Sequence, residues 1–142
     1  MNKISSKIVF LSFLISLIAT FGSLFFSEVM QFIPCTMCWY QRIFMYPLVI
    51  IFLMGLLYPD EKTFKYSIVL VIIGWFFSVY HNLLMFKIIP EDIVPCVQGV
   101  PCSTEYINWF GFITIPFLSF VSFSLILILL FLGKKGFLKD EE

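Results

Sequence analysis

The chain has 142 residues and a formal net charge of zero; 61% of it is hydrophobic and only 13% charged. A soluble domain runs roughly 45–50% apolar and about 25% charged, and one this small cannot hide such a surplus, nineteen phenylalanines included. A soluble monomer, a disordered chain and a basic nucleic-acid binder are excluded, and the lipid bilayer is left as the natural solvent.

About 20 apolar residues make one membrane-spanning helix, and four stretches qualify. The first covers about 8–26, after Lys3 and Lys7. Its basic start is that of a secretory signal, but the apolar run exceeds the roughly 7–15 residues of a signal core, and no small-x-small site ends it; it reads as an uncleaved span. Residues 27–38 form a loop ending in Cys35 and Cys38. The second span, about 39–58, is interrupted only by Gln41 and Arg42. A short turn at 59–65 leads to the third, about 66–86, which carries His81 and Asn82. The longest connection, 87–111, holds Cys96 and Cys102, the acidic Glu91, Asp92 and Glu105, and Tyr106, Trp109 and Phe110, which suit an interfacial belt. The fourth span covers about 112–132. Backbone polar groups in lipid must be satisfied within the segment, so each span is a helix. Pro47 and Pro116 fall inside two of them, and each is expected to bend its helix. The expected fold is an all-α membrane protein: a four-transmembrane-helix bundle with two extracytoplasmic loops, residues 1–142 forming a single integral domain.

Orientation follows from the lysines and arginines in the short flanks. Lys3, Lys7, Lys62, Lys65, Lys134, Lys135 and Lys139 lie on one side; Lys87 and Arg42 lie on the other. This bias places both termini and the 59–65 turn in the cytoplasm of a multi-pass plasma-membrane protein. Loops 27–38 and 87–111 then face outward, and with them all four cysteines, on the side where disulfides persist.

Three readings of the cysteines compete. They could form two structural disulfides, which four cysteines can pair in three ways. They could form a zinc site, because Cys-x-x-Cys is a common half-site. Or they could be redox-active, because Cys-x-x-Cys at a helix start holds two sulfurs close together and favours exchange. The surroundings of Cys35-Thr36-Met37-Cys38 favour the last. The pair enters the second helix, whose positive dipole end points at Cys38. Arg42 follows four residues later, on the same face, where its cation can stabilise a thiolate. An arginine inside a membrane is a functional candidate by default, set against simple snorkelling to the interface. His81 lies roughly 9 Å below the outer end of the third span and Arg42 roughly 6 Å inside the second. Arg42, His81 and Asn82 could therefore share one level and offer donors to a carbonyl-bearing, membrane-soluble ligand; for His81 the competing reading is an interhelical hydrogen bond.

Pro34-Cys35-Thr36-Met37-Cys38-Trp39-Tyr40-Gln41-Arg42 with Met45-Tyr46-Pro47, then Tyr80-His81-Asn82, the Cys96 and Cys102 pair, and Gly111-Phe112-Ile113-Thr114-Ile115-Pro116, together resemble the DsbB-like disulfide bond formation proteins, in the short Gram-positive form called BdbC. The resemblance covers nearly the whole chain. It implies a membrane thiol oxidase that reoxidises an extracytoplasmic thioredoxin-like thiol-disulfide oxidase and passes electrons to the membrane quinone pool, so supporting disulfide formation in exported proteins. It implies that Cys35 and Cys38 are the quinone-linked pair and that Cys96 and Cys102 face the partner. Cys96 takes the partner's attack and Cys102 resolves toward Cys35. Cys38 is then nearest the quinone, with Arg42 beside the head group and His81 a further quinone neighbour. No metal is implied, and the Gram-positive form points to menaquinone rather than ubiquinone. Some relatives have an acidic residue where this chain has Gln41, which leaves the Arg42 charge less neutralised. Exchange alone only moves disulfides, whereas making one requires two electrons to leave; with no haem or flavin motif, a lipid-soluble quinone is the simplest sink. A vitamin K epoxide reductase-like enzyme is a related reading, but the cysteine pair opening the second helix and followed by Arg42 fits it less well.

Overall fold

The long apolar runs become four helices in a computed structural model that describes residues 3–31, 36–86, 88, 90 and 114–140. Helix α1 is Lys3–Leu24, continued by a π-helical turn at Phe25–Val29; α2 is Thr36–Leu57, α3 is Lys62–Met85 and α4 is Ile115–Asp140. All four are long and apolar enough to cross a membrane, and no strand occurs among the described residues. Cys35, Cys96, Cys102, Lys87 and the aromatic residues of the 87–111 connection lie outside the described residues.

Each helix packs on two others: α1 and α3 each lie against both α2 and α4. The centre is filled by Val9, Leu48, Phe52, Val71, Phe123, Ile126 and Leu130, all fully buried. Ile18, Ile43, Ile50, Val69, Phe76 and Ile128 remain exposed on the outside, as lipid-facing side chains should. Lipid gives no hydrophobic drive for helices to associate, so small residues and polar contacts bring them together. Gly74 lets α3 approach α4: a Cβ there would stand 2.5 Å from the Phe123 ring. Three polar rungs tie the same antiparallel pair. Trp75 Nε1 donates to Ser124 Oγ at 2.9 Å, Ser78 and Ser119 hydroxyls meet at 3.2 Å, and Asn82 Nδ2 donates to the Pro116 carbonyl at 3.0 Å.

The helix ends differ from the apolar runs. Helix α1 begins at Lys3 and α4 runs on through Lys134 and Lys135, because hydrogen bonding continues where lysine stems can reach the interface. Helix α4 starts at Ile115 rather than near 112. Thr114 caps it, its Oγ1 accepting the Phe117 N–H at 3.4 Å. Pro116 therefore occupies the first turn, where no intrahelical N–H is required, and the bend expected there does not apply. Pro47 does lie inside α2, where it deprives the Ile43 carbonyl of its regular partner.

Candidate functional site

The polar groups of interest gather at the end of the bundle where α2 begins. Cys38 is the third residue of α2, so it sits in the first helical turn, whose N–H groups have no acceptor within the helix itself. It is half-buried and packs against a small cluster formed by Met37 and Leu84, beside Phe77 and Tyr80. Tyr40 and Phe44 both lie against Phe77, with ring centroids 5.3 and 5.6 Å apart. These rings seal α2 onto α3 just inside the cysteine.

Adjacent residues of α2 turn to opposite neighbours. Gln41 points to α3, its Nε2 lying 3.1 Å from His81 Nδ1. Both side chains are buried, at 6% and 1% exposure. As the amide is placed, its NH2 donates and Nδ1 is the acceptor. Arg42 points to α1. Its Nε donates to Ser23 Oγ at 2.8 Å, and its Nη2 donates to the Ser23 carbonyl at 3.1 Å and to Ser27 Oγ. The guanidinium also lies over the Trp39 ring, 5.2 Å from its centroid. Among the described residues no carboxylate neutralises it, and its Nη1 donors meet no partner.

The contact between Gln41 and His81 places Arg42, one residue on, at the level of His81, as the span arithmetic expects. The three donors expected at that level are not joined to one another, however. Arg42 is held by α1 and His81 meets Gln41, while Asn82 Nδ2 donates to the Ser78 carbonyl at 2.8 Å and to that of Pro116. In the sequence, Gln41 stands out only as a departure from an acidic position. The signal for its role was present: an amide in an apolar helix needs a partner, and the buried histidine of the neighbouring span supplies one. Ser23 and Ser27 gave no such signal, since serine is common in membrane helices.

Comparison with known proteins identifies the family. The family profile described as disulfide bond formation protein DsbB matches residues 5–133. Disulfide bond formation protein C of Bacillus subtilis is 52% identical over 131 residues, covering 91% of this chain and 95% of that protein. The probable disulfide formation protein C of Halalkalibacterium halodurans is 46% identical, covering 90% of this chain and 93% of its own. A prophage-derived disulfide bond formation protein B of Bacillus subtilis is 42% identical, covering 82% and 78%. No solved structure gives a significant match. With four membrane-spanning helices, a cysteine on the first turn of α2 and similarity along nearly its whole length, the chain belongs to the DsbB family of disulfide bond formation proteins.

Proposed function

We propose that this protein is a quinone-linked thiol oxidase of the plasma membrane, with its cysteine loops outside the cell and both termini inside. It reoxidises a thioredoxin-like oxidase and thereby supports disulfide formation in exported proteins. The observation that carries the reading is Arg42. It is a cation within α2, four residues after Cys38, with no carboxylate partner among the described residues and with its Nη1 donors open. An uncompensated arginine at that depth is expensive unless it serves a ligand or a thiolate.

In this reading the partner's thiolate attacks Cys96. The Cys96–Cys102 bond breaks and a mixed disulfide forms at Cys96. The partner's second thiolate then displaces Cys96, leaving the partner oxidised and Cys96 and Cys102 reduced. Cys102 attacks Cys35, the Cys35–Cys38 bond breaks, and Cys38 leaves as a thiolate near Arg42. Cys96 then attacks the Cys102 sulfur and Cys35 leaves as a thiolate, restoring the Cys96–Cys102 disulfide and leaving Cys35 and Cys38 reduced. The residues present fit a quinone head group: Nη1 offers donors to a carbonyl oxygen, and the Trp39 ring lies beside the same guanidinium. When bound, the quinone accepts the two electrons and two protons that the Cys35 and Cys38 thiols give up. The resemblance to the short Gram-positive form points to menaquinone as that quinone.

Anaerobic titration of the purified full chain with a reduced thioredoxin-like oxidase tests this, following quinone absorbance and free thiols together. One quinone reduced per partner disulfide is expected, with activity lost in Cys35→Ser and in Cys96→Ser. Undiminished oxidation in both variants overturns the reading.

A further inference from the structure

Arg42 is not held by its own helix. Three of its five N–H donors go to α1, and all three acceptors are neutral: Ser23 Oγ, the Ser23 carbonyl and Ser27 Oγ. Ser27 also donates its own hydroxyl proton to the Ser23 carbonyl at 3.1 Å. The two serines thus form one connected cradle, with each hydroxyl free to accept from the guanidinium. Ser23 stands at the end of the regular helix, whereas Ser27 lies inside the π-helical turn Phe25–Val29, which closes with the Met30 N–H on the Phe25 carbonyl at 3.2 Å. Such a turn is uncommon and recurs at functional sites, where the widened backbone re-aims side chains.

The cradle has two consequences for the cation. A carboxylate would neutralise the guanidinium, whereas serine oxygens fix its orientation and leave its charge intact. Engaging Nε and Nη2 also commits one edge of the planar group to α1. Nη1, which carries the remaining two donors, is then held in a defined direction. A flexible arginine would lose conformational freedom on binding a ligand, and holding it beforehand removes that penalty.

We propose that Ser23 and Ser27 are positioning residues of the oxidase, holding Arg42 so that its Nη1 edge meets the quinone carbonyl. The inference rests on the function proposed above and adds α1 to the site. It concerns substrate binding rather than thiol exchange, so it separates the two substrates kinetically. Removing both hydroxyls raises the apparent KM for quinone and leaves the KM for the thioredoxin-like partner unchanged.

The experiment uses the purified full chain with added menaquinone-4. Ser23→Ala/Ser27→Ala is compared with Arg42→Ala, with both changes combined, with Ser27→Thr, and with Ser16→Ala as a control on α1. The double serine variant is expected to raise the quinone KM about tenfold, the scale of losing hydrogen bonds to a charged group. Ser27→Thr, which keeps a hydroxyl, is expected to stay near the parent, as is Ser16→Ala. In the Arg42→Ala background the serine changes should add nothing, because their effect passes through the guanidinium. If Arg42→Ala raises the quinone KM but the serine changes do not, the positioning role is overturned and the oxidase stands. A serine effect that persists at full size without Arg42 also overturns it, leaving only packing between α1 and α2. If no variant, Arg42→Ala included, alters quinone dependence, Arg42 itself leaves the quinone site and the inference falls with it. The single variants Ser23→Ala and Ser27→Ala carry the same comparison should the double variant fail to fold.

Discussion

Gln41 Nε2 lies 3.1 Å from His81 Nδ1, and this contact sets the register of α2 against α3 just inside the cysteine turn. Both side chains are buried, so losing this contact costs more than it would at a wet surface. Gln41→Leu is therefore expected to lower stability by about 1–3 kcal/mol, because it takes the buried amide partner away from the ring nitrogen. His81→Leu should do the same through the stranded amide. The double variant, which strands neither side of the pair, should lose less than the sum of the two. Unfolding of the four proteins in detergent checks this; strictly additive losses would show that the contact contributes nothing.

Helix contacts lead to a second expectation. A Cβ at Gly74 would sit 2.5 Å from the Phe123 ring, whereas one at Gly22 would meet nothing within 4 Å. Phe123 is fully buried and has little room to yield. Gly74→Ala should destabilise by about 1–3 kcal/mol through overpacking, and Gly22→Ala should be neutral or slightly stabilising. Thermal unfolding in the same detergent distinguishes them, and equal responses would contradict the close approach of α3 to α4.

The residues that were readable from sequence, and those that were not, divide along physical lines. Helix count and order follow from run length, because lipid permits no other backbone solution for a long apolar segment. Arg42 stood out because charge is scarce in such a segment. The neighbour each residue faces was not readable. These helices are apolar on every side, so hydrophobic periodicity does not say which face meets protein and which meets lipid. That is why Gln41 stands out only beside Arg42 along the chain, although it meets His81 across the bundle. It is also why the sequence does not distinguish Ser23 and Ser27 from the other serines of α1. Pro116 misled for a different reason: the apolar run begins before the helix does, and only the Thr114 cap reveals where the first turn lies.

The cap at Thr114 can be tested directly. Its Oγ1 accepts the Phe117 N–H, and its carbonyl accepts the Leu118 N–H at 3.0 Å. Thr114→Ala removes only the side-chain bond and should cost about 1 kcal/mol, while Thr114→Ser should restore most of it. Amide exchange at Phe117 gives the local readout: faster exchange is expected in the alanine variant, and unchanged exchange would mean the hydroxyl does not cap α4.

Orientation is the expectation on which the redox reading most depends, since disulfides made on the cytosolic side would be reduced. Two exposed acidic residues mark opposite ends of the bundle: Glu28 in the π-helical turn after α1, and Asp60 in the turn between α2 and α3. In a chain whose four native cysteines are serine, Glu28→Cys and Asp60→Cys each supply one reporter thiol. From the lysine bias, with Lys62 and Lys65 in the 59–65 turn, Asp60 is expected inside the cell and Glu28 outside. A membrane-impermeant maleimide should label Glu28→Cys in intact cells and Asp60→Cys only after permeabilisation. The opposite pattern would turn Cys38, at the same end of the bundle as Glu28, toward the reducing side and remove the physical basis for net disulfide formation.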